Sequence, residues 1–213
     1  TLLHDGTNLY AGGMFTRAGG TAAVRVAKWN GATWTNLGSG VNSDLYDLLM
    51  VGSNLYAAGN FTTAGGVPAN YVARWNGESW TNVGEGMGST ASCLAYDGTN
   101  LYLGGAFTEA DGVTANRMAM WNGCNWTNMG SGMNGDVITL LFQAGYLYAG
   151  GMFTRAGSVD LAGRRMVAQG HLEMVDVYGV APVSGSWTGG YPVVITGANL
   201  CNGGDVTNVT LCG

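Results

Sequence analysis

"AGGMFTRAGG", residues 11–20, and "AGGMFTRAGS", residues 149–158, are nearly the same ten residues, written 138 positions apart in a chain of 213. A binding or catalytic loop is usually written once, whereas a stretch that recurs marks a copied structural unit. The spacing is strict. Tyr10, Tyr56, Tyr102 and Tyr148 follow one another at steps of 46 residues, and so do Phe15, Phe61, Phe107 and Phe153. Trp29, Trp75 and Trp121 keep the step, as do Trp34, Trp80 and Trp126. The two quoted stretches are therefore one segment of a first and a fourth copy, and the motif belongs to a scaffold.

The second copy reads most clearly as four short strands. "DLLMVG" is an apolar run, Gly52-Ser53-Asn54 a turn, and "NLYAAGNF" a second strand that leaves through the loop "TTAGGVPAN". "YVARW" is a third strand, Asn76-Gly77-Glu78-Ser79 a turn, and "WTNVGEG" the fourth. Short aromatic and aliphatic runs bounded by Gly and Asn are strand signals. Asp5-Gly6 and Asp97-Gly98 mark the first turn of the first and third copies, where a primed hairpin turn needs positive φ. No window repeats apolar residues at helical spacing. The expected class is all-β, with copies at 1–46, 47–92, 93–138 and 139–177, the last lacking both tryptophans and ending in "LEMVDV" where a fourth strand belongs.

A four-stranded meander of this length matches a propeller blade. The chain resembles Kelch-like repeats of the galactose oxidase propeller type, through Gly12-Gly13, Gly104-Gly105 and Gly150-Gly151 after the second-strand Tyr and through the later tryptophans. The second copy departs from this with Ala58-Gly59. The resemblance implies about three and a half propeller-type blades, where propellers close with about four to eight. From about Tyr178 the period is lost. The tail 178–213 resembles the front half of an IPT/TIG domain, an immunoglobulin-like sandwich, through Pro182, the Gly185…Gly189-Gly190 turn, "PVVITG" and "ANL". That resemblance implies an incomplete sandwich, hence a fragment of a longer chain or a fold that accepts a neighbour's strand. Propeller followed by IPT/TIG is also the order of plexin-like ectodomains.

Composition narrows the function classes. Charged residues make up 10% of the chain and the net charge is −5, with eight Lys and Arg scattered along it, so no basic stripe exists for nucleic acid. No apolar run reaches the roughly 18 residues of a membrane span. Three sequons occur, at Asn60, Asn125 and Asn208. Asn125 ranks first because Thr33 and Ser79 stand at its place in other copies, all in a tight turn. Asn208 ranks second. Asn60 ranks third because Met14, Ala106 and Met152 replace it, which suggests a half-buried site. Cys201 and Cys212 bracket one short loop and are expected to form a disulfide. Cys93 and Cys124 fall at opposite ends of the third copy, more than ~12 Å apart at about 3.3 Å per residue, beyond the roughly 7 Å Cα limit for a bridge. Sequons with a disulfide point to an extracellular or cell-surface setting and to N-linked glycans.

Chemistry is poorly supported. His4 and His171 are the two histidines. His4 aligns with Met50, Tyr96 and Phe142, so a packed ring is expected, and neither a metal nor a cofactor is. No nucleophile arrangement or carboxylate pair can be argued, so no catalytic residue is expected. Asp5 and Asp97 read as hairpin turns, since Val51 and Gln143 replace them in the alternate copies. The tryptophan pairs should face each other across hairpins as packing, with sugar stacking as the rival reading. Trp187, in "GSWTGG", lies outside the repeat and is the candidate for an exposed contact. The expected function is a non-enzymatic extracellular structural or adhesive repeat glycoprotein that self-associates or binds other extracellular proteins. The alternative is a carbohydrate- or protein-binding propeller module, using the loop written "AGGTAAVR", "AGGVPAN", "ADGVTAN" and "AGSVDLAG".

Overall fold

Each copy folds as one antiparallel sheet whose strands lie side by side in chain order. The computed structural model describes residues 1–160, 167–171, 177–181 and 194–197. Sheet 1 holds Leu2–His4, Leu9–Gly12, Val26–Trp29 and Trp34–Asn36. Sheet 2 holds Leu45–Val51, Asn54–Gly59, Val72–Trp75 and Trp80–Asn82, and sheet 3 Ala91–Tyr96, Leu101–Gly105, Met118–Trp121 and Trp126–Asn128. Sheet 4 is described as three strands, Val137–Gln143, Tyr146–Gly151 and Val167–His171. The protein is all-β, with no helix among the described residues. In the tail, Val177–Ala181 pairs antiparallel with Val194–Gly197. "LEMVDV" falls largely outside the described residues.

The core lies between sheets. Along one strand successive side chains point to opposite faces. Leu48 accordingly joins Tyr10, Val26 and Leu37 of the first copy, while Leu49 packs on the cluster of Leu94 and Leu103 of the third. A sheet covered on both faces needs apolar residues at both parities, which is why "DLLMV" shows no alternation. We call the face toward the preceding copy leading and the face toward the following copy trailing. The third junction repeats the arrangement with Tyr102 and Met118 against Leu140, Leu147 and Phe153.

The loop read after the second strand is more ordered than expected. It forms a small hairpin in every copy: Arg17–Ala18 with Thr21–Ala22, Thr63–Ala64 with Val67–Pro68, Glu109–Ala110 with Val113–Thr114, and Arg155–Ala156 with Val159–Asp160. Gly19-Gly20, Gly65-Gly66 and Asp111-Gly112 all have positive φ, the two-residue turn that suits a tight hairpin. These hairpins lock onto the preceding copy through the bridges Val41↔Ala64, Met87↔Ala110 and Met133↔Ala156. The first-strand turns differ in detail from the expectation. Gly6 and Gly98 have positive φ but Asp5 and Asp97 do not.

The glycine pairs have separate reasons. A Cβ on Gly59, Gly105 or Gly151 would run into the carbonyl of Asp44, Thr90 or Asp136, the groups that accept the next residue's amide. At these three positions only glycine fits, whereas Gly13 of the first copy has just the Phe15 ring nearby at ordinary contact distance. The first glycine meets a side chain of the following sheet: Leu45 opposite Gly12, Val137 opposite Gly104. In the second copy Ala58 stands there, and the residue equivalent to Leu45 and Val137 is Ala91, in the same buried cluster. The added methyl is matched by smaller volume opposite, so the departure from the glycine pair is a local repacking.

Candidate functional site

The residues that recur at the repeat step converge on the junctions and the turns. Trp75 and Trp80 face each other across their hairpin at 5.5 Å between ring centroids, tilted by 54°, and Trp29/Trp34 and Trp121/Trp126 do the same at 5.6 and 5.3 Å. Trp80 and Trp126 are buried. Their indole Nε1–H groups donate to the carbonyls of Leu37 and Val83 of the preceding copy, both at 2.9 Å. A buried N–H needs such a partner, and here it ties two sheets. Trp34 is only half-buried.

Polar side chains add to the same junctions. Asn42 accepts from the amides of Thr62 and Thr63 at 2.9 and 3.0 Å and donates to the Thr62 hydroxyl at 3.0 Å. Asn134 makes the same three bonds with Thr154 and Arg155. Gly88 occupies this place at the middle junction. Two cations sit beside carboxylates that immediately precede the following sheet, Arg25 with Asp44 at 3.8 Å and Arg117 with Asp136 at 3.2 Å. Arg25, Tyr71 and Arg117 hold φ near 64°, 67° and 65° just before the third strand. Each is fixed by its own amide donating to Phe15, Phe61 or Phe107.

Along the first strands a row of equivalent positions reads Thr1, Asp47, Cys93 and Thr139. A bulge precedes each of the last three, between Leu45 and Asp47, Ala91 and Cys93, and Val137 and Thr139. Asp47 Oδ2 accepts the Leu94 amide of the next sheet at 2.8 Å, and Oδ1 accepts the Leu48 amide at 2.9 Å. Burial raises the Asp47 pKa, against the pull of these two amides. Burial also drives the Cys93 thiol far above its ordinary range, and the Asp47 charge adds to this. Such a thiol stays protonated and is a poor nucleophile. Cys93 is buried, Cys124 is exposed, and they are not bonded to each other.

The turn carboxylates are spent on their own turns. Asp5 accepts the Thr7 and Asn8 amides at 2.9 and 2.6 Å and the Tyr10 hydroxyl at 3.0 Å. Asp97 repeats this with Thr99, Asn100 and Tyr102, the hydroxyl at 2.7 Å. The Asn8 amide above all holds Asp5 well below the usual carboxylate range, and burial with the Asp5 contact pushes Tyr10 up to about 12. No group of three or more metal-ligating side chains occurs among the described residues.

Two expectations need correction. His4 is exposed and not packed, its Nδ1 accepting the Gly6 amide at 3.1 Å. Its equivalents Met50 and Phe142 pack on a preceding sheet, and among the described residues no sheet lies against the leading face of sheet 1. Asn60 is also exposed, and the position is exposed even where it is apolar, Met14 and Met152 being 78% and 72% exposed. Its Oδ1 accepts the hydroxyl of Thr90, the residue that leads into sheet 3, at 3.0 Å. Asn125 is exposed as expected, in a turn closed by Asn122 Oδ1, which accepts the Cys124 and Asn125 amides at 2.9 and 2.8 Å. Asn208, Cys201, Cys212 and Trp187 lie outside the described residues. Asp47 and the Asn42/Asn134 clamp escaped the sequence reading. The recurrence of Asn at twice the repeat step was the available signal for the clamp, while Asp47 stands alone in its row.

No protein-family model matches the chain, and no curated protein matches it. Among solved structures it is similar to the computationally designed Ika8 protein, at 13% identity and a TM-score of 0.52, over 93% of this chain and 55% of that one. The likeness is one of fold, and this chain spans about half of the designed protein.

Proposed function

We propose that this chain is a non-enzymatic structural or adhesive repeat glycoprotein, a run of propeller-type blades that builds an extracellular layer or filament. One observation carries the reading. The side chains that recur at one or two repeat steps are committed to joining sheets or closing turns: the Trp80 and Trp126 indoles, the Asn42 and Asn134 amides, and the Asp5 and Asp97 carboxylates. Chemistry of this kind supplies rigidity and repetition. The exposed Asn125 turn offers room for a glycan, which adds bulk and solubility to a chain poor in charge.

Membrane attachment is not part of the reading, and no helix of the described residues is long and apolar enough to cross a membrane. A binding module remains the second reading, favoured by the half-buried Trp29–Trp34 pair, which offers aromatic surface for a sugar. Glycopeptide mass spectrometry of the native protein separates these ideas from an intracellular role. N-linked glycan is expected on Asn125, and a wholly unmodified Asn125 would overturn the extracellular assignment. Saturable binding on a glycan array, lost in Trp34→Ala, would move the conclusion to the binding module.

A further inference from the structure

The dipeptide Asn-Gly is written at Asn30, Asn76, Asn122, Asn134 and Asn202, the last outside the described residues. In this dipeptide the asparagine amide is open to attack by the backbone nitrogen of the next residue, because glycine has no Cβ to hinder the approach. The fold divides the described sites into two kinds. Asn30, Asn76 and Asn122 are exposed and open the turn between the third and fourth strands of sheets 1, 2 and 3. In each, the side-chain Oδ1 accepts two amides of its own turn. They are those of Ala32 and Thr33 at 3.0 and 2.8 Å, of Glu78 and Ser79 both at 2.9 Å, and of Cys124 and Asn125 at 2.9 and 2.8 Å. The first bond of each pair closes a ring that contains both the asparagine Cγ and the glycine nitrogen, so the two reacting atoms are kept close. A Cβ built on Gly31, Gly77 or Gly123 would meet nothing within 4 Å, which leaves room for a new ring.

Asn134-Gly135 has the same sequence in another setting. Its amide reaches across a junction, held by the Thr154 and Arg155 amides at 2.9 and 2.7 Å and by the Thr154 hydroxyl at 2.9 Å. Gly135 is crowded, since a Cβ there would run into the Met152 carbonyl. Bringing the Asn134 Cγ onto the Gly135 nitrogen would break that clamp.

We propose that Asn30, Asn76 and Asn122 are built-in modification sites that convert to aspartate or isoaspartate without an enzyme, while Asn134 is protected. The glycine nitrogen gives its proton to hydroxide and bonds to Cγ. Negative charge then develops on Oδ1, where two N–H groups already point. The Cγ–Nδ2 bond breaks, Nδ2 takes a proton from water and leaves as ammonia, and a cyclic imide remains. One water opens the imide at either carbonyl. Each conversion adds one negative charge to a chain whose net charge is −5. The aspartate product suits the turn, since Asp5 and Asp97 already accept the equivalent pair of amides in the first turns of sheets 1 and 3. The isoaspartate product adds a methylene to the backbone and loosens the hairpin that carries the paired tryptophans. The inference goes beyond the structural reading and stands independently of it.

Ageing the full chain at mildly alkaline pH tests this, once folded and once unfolded in guanidinium chloride. Peptide mapping by mass spectrometry, with fragmentation that separates aspartate from isoaspartate, follows each site. In denaturant the four sites are expected to convert at similar rates, because only the local sequence acts. In the folded protein the three turn sites are expected to convert no more slowly than in denaturant, and Asn134 to slow by at least about 10-fold. Turn sites that folding slows, or an Asn134 that converts alongside them in the folded chain, would overturn the proposal.

Discussion

Trp34 and Trp80 are the same residue of the same repeat, one period apart, yet they live in different surroundings. Both stack on a tryptophan across a hairpin, at 5.6 and 5.5 Å. Trp80 is buried against the preceding sheet and its indole reaches the Leu37 carbonyl, whereas Trp34 stays half-buried. Local structure is closely similar because local sequence is, both hairpins holding W-N-G-x-x-W-T-N. Burial differs because it belongs to the neighbour. In a fold whose core lies between repeats, a residue's energetic weight is set by whether a sheet stands in front of it.

Chemical denaturation of alanine variants sharpens this contrast most. Trp80→Ala is expected to cost about 3–5 kcal/mol, since it opens a cavity and removes the indole bond that ties the two sheets, the Leu37 carbonyl keeping only the Gly40 amide. Trp34→Ala should cost about 1 kcal/mol, mainly the lost cross-strand contact. Equal losses would break the comparison, and would mean that the hairpin rather than the junction carries the tryptophan's contribution.

The second prediction compares junctions. At the first and third, glycine faces Leu45 or Val137, while at the middle one Ala58 faces Ala91. Ala91→Val alone should overpack the middle junction and destabilise by about 1–3 kcal/mol. Adding Ala58→Gly should recover a good part of that, despite the roughly 0.5–1 kcal/mol that glycine costs in a strand. A double-mutant cycle with no coupling would show that the two positions do not share the space.

Smallest are the pH effects, which set a turn against a junction. Burial tends to raise the Asp97 pKa, but the amides of Asn100 and Thr99 and the Tyr102 hydroxyl outweigh it and hold it low. Its contribution is present above the unfolded pKa and is lost as pH falls through the folded one. Asp47 is raised by burial, so its sign is opposite. Its contribution is present below the unfolded pKa and is lost as pH rises through the folded one. Urea midpoints between about pH 3 and pH 7 should therefore show the advantage of the unmodified protein over Asp97→Asn shrinking on acidification. Relative to Asp47→Asn it should grow. Parallel pH profiles would remove the distinction.

Much of the fold was legible because the repeat is. The period, the four strands, the turns at Asn76-Gly77 and the facing tryptophans follow from local spacing and turn chemistry, and the sheets confirm them. The small hairpin at Thr63–Pro68 was missed because its strands are two residues long and its glycine turn reads as loop. His4 and Asn60 were misjudged for different reasons. Averaging over copies gave His4 the surroundings of its equivalents, although no described sheet lies against the leading face of sheet 1. Asn60 was placed by apolar equivalents, Met14 and Met152, that are themselves exposed. The expectations at Cys201, Cys212, Asn208 and Trp187 fall outside the described residues.

By itself, the sequence determined the repeat step, the all-β class and the turn residues, since these depend on contacts between near neighbours in the chain. Tertiary structure alone decided which face of each sheet is covered, that Asp47 bridges to Leu94, and that Ala58 is matched by Ala91. Those facts join residues 33 to 47 positions apart, and only docking one sheet on another brings such residues within reach.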